Sequence, residues 1–262
     1  MKQQYFFPFG QPLKRVEQVD KRPKKTFVLG VYASAVHASW VDNKGKLKVN
    51  ALAVASEPEI FWTGENAERI ISDIQIPNEL GRLTIPNNRN FNGPSGRALD
   101  EKYLDPLGLC RNDVWLCDLL PEARINPNQK KAIERTYSQE VINHRNLNPA
   151  TIPDFNASEL NCEKRRKEIL DEIETSQAER IVLLGDLPIK CFLKLYNRNY
   201  SKLSDFGKTE KDYGQEHEIE INGKSFKVLP LCHPRQADRL GSSSWYWGRL
   251  HDNWVRSTKP VL

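Results

Sequence analysis

The stretch ERIVLLGDLPIKCFLKLY, residues 179–196, decides the fold class. Its apolar residues from Ile181 to Leu184 run without a break, as expected of a strand covered on both faces; a strand with one wet face would alternate. The residues that follow, DLPIKCFLKLY (186–196), read as a helix. Similar short, β-rich runs recur at TFVLGVY (26–32), DVWLCDLL (113–120) and FKVLPLC (226–232), separated by segments of helical character. This alternation predicts an α/β fold: a three-layer sandwich around a central, mainly parallel four-stranded sheet, with right-handed crossovers placing helices on both faces.

Working outward, ASELNCEKRRKEILDEIETSQ (157–177) is the clearest helix, with Ser158 as a possible cap and Cys162, Ile169, Leu170 and Ile173 near one face. SSSWYWGRLHDNWV (242–255) is a further helix. Between the first two sheet strands, SWVDNKGKLKVNALAVASEPEIFW (39–62) has a turn at Asn43-Lys44-Gly45 and reads as an inserted β-hairpin near 38–62. The segments 145–155 and 197–218 read as loops. Residues 1–25, with Lys14, Arg15, Lys21, Arg22, Lys24 and Lys25, read as a solvated basic arm, and 26–262 as a single domain.

Composition narrows the class further. No stretch approaches the ~18–20 continuous apolar residues of a membrane helix, and the N-terminal residues lack a signal-peptide core, so a soluble cytoplasmic protein without a membrane partner is expected. The five cysteines, Cys110, Cys117, Cys162, Cys191 and Cys232, form no CxxC pair. That suits free thiols in a reducing compartment, with no metal and no cofactor. Lys and Arg total 39 against 34 Asp and Glu, a net charge of +5 that is compatible with a phosphate-bearing partner without demanding one.

In open parallel sheets, ligands bind outside the carboxyl ends of the strands. Three motifs fall at such ends: Gly30 to His37 after the first strand, Asp118 at the end of DVWLC, and His233-Pro234-Arg235 after FKVLPLC. Each alone has a structural reading as a turn, a cap or a close packing point. Their shared location is what points to a site.

These residues carry a resemblance to the uracil-DNA glycosylase superfamily over most of the chain. NRNFNGPSGRALDEKYLDPLGLCRNDVWLCDLLPEARINPN (88–128) resembles its aromatic, turn-helix and base-reading strand. ELNCEKRRKEILDEIETSQAERIVLLGDLPIKCFL (159–193) is similar to its long helix, strand and helix, and VLPLCHPRQADRLGSSSWYWGRLHDNW (228–254) to its second motif and last helix. The resemblance implies a monomeric enzyme that flips a nucleotide out of DNA and cleaves its N-glycosidic bond. It implies that Gly30, Tyr32 and Ser34 belong to the first motif, with Gly30 and Tyr32 at the base and Ser34 at the DNA. Phe91 would stack on the base. His233 would donate to the base oxygen where charge develops, a contribution of about 3–4 kcal/mol. Arg235, Arg239, Ser242, Ser243 and Ser244 would contact DNA. Trp245, Trp247 and Trp254 are expected to pack against the sheet.

Two departures from the family pattern shape the expectation. The first motif has Val31, Tyr32 and Ala33 where many members carry a catalytic carboxylate and a proline. Asp118 stands where an Asn is typical. An ionised Asp only accepts hydrogen bonds, so it favours the amino group of a cytosine-type base over uracil; alternatively Asp118 is the displaced catalytic carboxylate. Cys162 matches one ligand position of iron–sulfur members, but the other ligands have no counterpart, which argues against a cluster. Glu57 and Trp62 could border an enlarged pocket. The expected function is therefore a monofunctional glycosylase acting on a damaged or modified pyrimidine, favouring a modified cytosine, in DNA repair or in defence against foreign DNA at the nucleoid. The alternatives are a catalytically inactive DNA-binding relative and, less supported by Gly93-Pro94-Ser95-Gly96, a small-molecule hydrolase.

Overall fold

The computed structural model describes residues 4–144, 147–240 and 243–258. By contact the chain divides into two compact units, Met1–Val16 with Tyr32–Pro94 and Pro121–Asn156, and Glu17–Val31 with Ser95–Leu120 and Ala157–Leu262. The sequence reading treated 26–262 as one domain and 1–25 as a free arm. Instead, Phe7, Phe9 and Val16 are buried, and so is Lys24, whose ammonium bonds Asp20 and the Asn112 carbonyl.

The second unit is α/β, and its strands are β1 (Thr26–Tyr32), β5 (Val114–Leu120), β6 (Arg180–Leu184), β7 (His217–Ile221) and β8 (Lys224–Leu231), in sheet order β5-β1-β6-β8-β7. The runs read from sequence as strands are the first four members of this order. β1 pairs parallel with β6, and β6 with β8, in the registers Leu29↔Leu183 and Leu183↔Pro230. β7 is an addition, and only its first two residues fall in the stretch 197–218 that the sequence placed in a loop. It pairs antiparallel with β8 through the turn at Asn222-Gly223, both at positive φ, as a two-residue hairpin requires. The short helices α1 (Ala67–Ser72), α2 (Pro94–Leu99), α3 (Pro127–Ala132) and α4 (Ser138–Asn143) come earlier in the chain. Helix α5 (Glu163–Ser176) starts at Cys162 rather than at Ser158, which lies in a preceding 3-10 turn. The helix read at 186–196 is shorter, α6 (Asp186–Cys191), followed by a 3-10 turn. Helices α7 (Pro234–Ala237) and α8 (Ser244–Thr258) follow β8. Leu29, Ile181, Leu183, Leu184, Val228 and Leu231 are fully buried, the outcome that unbroken apolar runs predict.

The first unit holds a separate antiparallel sheet, β2 (Ala35–Val41), β3 (Leu47–Ser56) and β4 (Arg82–Thr84), in the order β3-β2-β4. The inserted hairpin is therefore present and larger than expected, beginning at Ala35. Its turn is shaped by the Asp42 carboxylate, which accepts the Lys44 and Lys46 amides, with Gly45 at φ +79°. Phe9, Trp40 and Tyr137 meet edge to face at ring separations of 5.2, 5.1 and 6.3 Å in its core. The Tyr137 hydroxyl accepts the Phe9 amide and donates to the Asn148 carbonyl.

Candidate functional site

Asp118 lies near the carboxyl end of β5, the strand beside β1 and Gly30. Side chains alternate along a strand. Trp115 and Cys117 turn to α5, where Glu172 accepts the Trp115 indole N–H at 2.9 Å and Arg165 Nη2 reaches Cys117 Sγ at 3.0 Å. The buried Arg165 also donates to the Asp118 main-chain oxygen from Nη2 at 2.7 Å and Nε at 3.3 Å, and from Nη1 to Glu172 and Glu168. The Asp118 side chain alternates to the other face. It is 4% exposed, and no hydrogen bond to its carboxyl is found among the described residues. Burial pushes its pKa up to about 7, against the pull of the Arg165 charge and with the push of Glu172.

His233 caps the N-terminus of α7. Its Nδ1 accepts the Arg235 amide at 3.2 Å, so the ring proton of the neutral form sits on Nε2, which has no partner among the described residues. Burial, aided by the Arg235 charge, lowers its pKa to about 4, so the ring is neutral at physiological pH. Gly185, at φ +90° just beyond β6, lies so close that a Cβ there would be 3.0 Å from His233 Cβ. Behind the histidine, both main-chain groups of Cys232 are held by tyrosines: the Tyr103 hydroxyl donates to its carbonyl at 2.8 Å, and its amide donates to the Tyr213 hydroxyl at 2.9 Å. His251 continues this buried chain, with Nε2 donating to the Lys102 carbonyl and Nδ1 accepting from Tyr213. Sequence reading missed this network, since four residues between 102 and 251 share no motif. At roughly 5 Å per strand, the positions of Gly30 and His233, two strands apart, are on the order of 10 Å from each other.

The residues expected at the DNA differ in their engagement. Arg235 is exposed, and its Nε caps the Leu240 carbonyl. Arg239, at φ +63°, is tied down: Nη2 bonds Asp252 at 2.6 Å and the guanidinium lies 5.6 Å from the Trp245 ring centre. Ser243 is exposed at φ +56°, Ser244 is buried at the start of α8, and Ser242 lies outside the described residues. Trp247 and Trp254 pack inward as expected, but Trp245 is 79% exposed, which corrects its assignment to the packed face.

In the first unit, Tyr32 is half-buried with its ring 5.3 Å from that of Phe155, and Phe91 is half-buried in a 3-10 turn. The Glu57 carboxylate, 6% exposed, accepts the Ser34 amide at 2.9 Å, so a carboxylate does reach the first motif, from 23 residues downstream. Asn92 clamps the His37 main chain from both sides, accepting its amide at 2.8 Å and donating to its carbonyl at 2.9 Å. Burial lowers the His37 pKa to about 4, and its Nδ1 is buried without a partner.

No protein-family model matches the chain, and no curated protein matches it. Its chemistry therefore rests on its own residues. Among the described residues no group of three or more His, Cys, Asp or Glu side chains is arranged to hold a metal ion, and no helix is long and apolar enough to cross a membrane.

Proposed function

We propose that the protein is a DNA glycosylase that extrudes a modified pyrimidine, favouring a modified cytosine, and hydrolyses its N-glycosidic bond to leave an abasic site. The observation that carries this reading is Asp118, a side chain 4% exposed with no hydrogen bond to its carboxyl among the described residues, near the end of a strand in a mostly parallel sheet. Its oxygens are not among the fully enclosed polar atoms that lack a partner, so they keep contact with solvent, where a ligand donor can meet them. An exocyclic amino group is such a donor. His233 supports the same reading, since its fixed tautomer presents Nε2–H as a free donor. As the bond breaks, its electron pair leaves with the base, and a donor that meets the developing negative charge stabilises that step. Water adds its oxygen to C1′ of the sugar, and its proton balances the departing base. The enzyme works as a monomer on nucleoid DNA.

The test is incubation with DNAs containing uracil, hypoxanthine, cytosine or C5-substituted cytosines, followed by alkaline cleavage at abasic sites. Strand scission is expected at substituted cytosine and not at plain cytosine. Asp118→Asn should erode that preference and admit uracil. His233→Ala should lower the rate roughly tenfold to a hundredfold with DNA affinity nearly unchanged. Excision of uracil alone by the unmodified protein overturns the choice of base. DNA binding with no abasic site on any substrate leaves the inactive DNA-binding relative as the better reading.

A further inference from the structure

Of the six tryptophans, Trp40, Trp62, Trp115, Trp247 and Trp254 are buried, while Trp245 stands 79% exposed in the first turn of α8. A single exposed apolar side chain is ordinary; this one is distinguished by how it is mounted. Its mounting has three parts. The Arg239 guanidinium covers one side of the ring at 5.6 Å. Asp252, about two turns further along α8, fixes that guanidinium at 2.6 Å. Gly248, between them, leaves the space it occupies: a Cβ there would lie 1.7 Å from Arg239 Nη1. The ring is thus braced from one side and open on the other.

The charge around it is cationic in net. Asp252 is committed to Arg239, Glu210 to Arg249 and Asp238 to Lys102. Arg235 faces solvent from the turn before α8. The exposed Lys208 and Lys211 lie on the loop whose Lys208 carbonyl accepts the hydroxyl of Tyr246, the neighbour of Trp245; the same loop carries one further carboxylate, Asp212, which accepts from Thr209. A flat aromatic face among unneutralised cations suits a chain of π-faces linked by phosphates.

We infer that Trp245 is a stacking platform for an unpaired nucleobase of a DNA strand, a second base-binding site apart from the one that reads the extruded base. Arg235, Lys208 and Lys211 serve the adjacent phosphates. The inference rests on the proposed action on DNA, but it concerns binding and not bond cleavage. Stacking is tolerant of base identity, so the platform holds the strand and leaves discrimination to Asp118.

The experiment titrates the full chain with an unmodified single-stranded deoxyoligonucleotide of about 12 nucleotides, a length within known single-strand site sizes. Fluorescein anisotropy reads binding, and intrinsic tryptophan emission, on unlabelled DNA, reads stacking. Binding with quenching is expected for the unmodified protein, and Trp245→Phe should bind while losing the quench. Trp245→Ala should weaken affinity roughly tenfold, the loss of one stacked base. Because the ring is exposed, neither change disturbs the core. Quenching that survives in Trp245→Phe, or unchanged affinity in Trp245→Ala, overturns the platform while binding itself stands. No rise in anisotropy for the unmodified protein overturns the platform, while strand scission at a modified base in the separate assay would still uphold the action on DNA. A dimer that dissociates on Trp245→Ala replaces the DNA strand with a second copy of the chain as the occupant and overturns the inference.

Discussion

Asp118 changes character near neutrality because burial brings its pKa up to about 7. On the proposed reading, above that pH the carboxylate only accepts and would face the O4 of uracil with like polarity. Below it, the acid offers one O–H donor and one acceptor, as an amide does, and satisfies uracil as well as cytosine. Discrimination for cytosine-type over uracil-type substrates should therefore rise with pH through about 7. A mismatched hydrogen bond to a charged group is worth about 1.5–3 kcal/mol, so the ratio of kcat/KM values should climb roughly tenfold or more between pH 5.5 and 8.5. In Asp118→Asn, which has no proton to lose, the ratio should stay flat. A rising ratio in the variant would place the titrating group elsewhere.

Elements were legible where one signal dominated. Unbroken apolar runs announced β1, β5, β6 and β8, because burial on both faces leaves no room for polar residues. β7 escaped: in HEIEI only Ile219 and Ile221 face inward, and the glutamates that alternate with them, Glu218 and Glu220, resemble a polar loop. α8 was legible as a helix, but its outward and inward tryptophans were not, since three Trp within ten residues admit more than one register. Its Gly248 yields a prediction opposite to helix propensity. Replacing Gly by Ala inside a helix ordinarily stabilises by about 1 kcal/mol. Here a Cβ meets Arg239 Nη1 at 1.7 Å and the Gln236 carbonyl at 2.8 Å. Gly248→Ala should instead lower stability by about 1–3 kcal/mol, the range for overpacking, as read from the urea midpoint. A stabilised variant would mean that Arg239 leaves the α8 face at little cost.

For the whole molecule, buried titratable groups set the pH response. His37, His233 and His251 are each lowered from 6.5 to about 4 by burial, so between those values the folded chain binds fewer protons than the unfolded chain. Their contribution is complete above about pH 6.5 and is lost as pH falls through about 4. Asp118, raised from 3.8, acts in the opposite sense: its contribution is complete below 3.8 and is lost as pH rises through about 7. Three groups outweigh one, so the urea midpoint should rise from pH 4 to about 6.5 and then decline slightly toward pH 8. In Asp118→Asn the decline should vanish. A midpoint that is flat from pH 4 to 6.5 would mean that these histidines titrate as they do in water. The residues of the candidate site were nameable from sequence because strand ends are. Their supports, Glu57 under Ser34 and Tyr213 with His251 behind Cys232, lie far along the chain and become neighbours only through the fold.

Arg165 has a consequence of a different kind. It holds the main chain of β5 from the α5 side, through the Asp118 carbonyl and Cys117 Sγ, and makes no hydrogen bond to the Asp118 side chain. Scaffold and side chain are therefore separate parts joined at one Cα. A single codon change at position 118 can swap the chemical letter this strand presents while the strand itself stays put, so that, on the proposed reading, new target preferences would lie one mutational step away without a detour through an unstable intermediate.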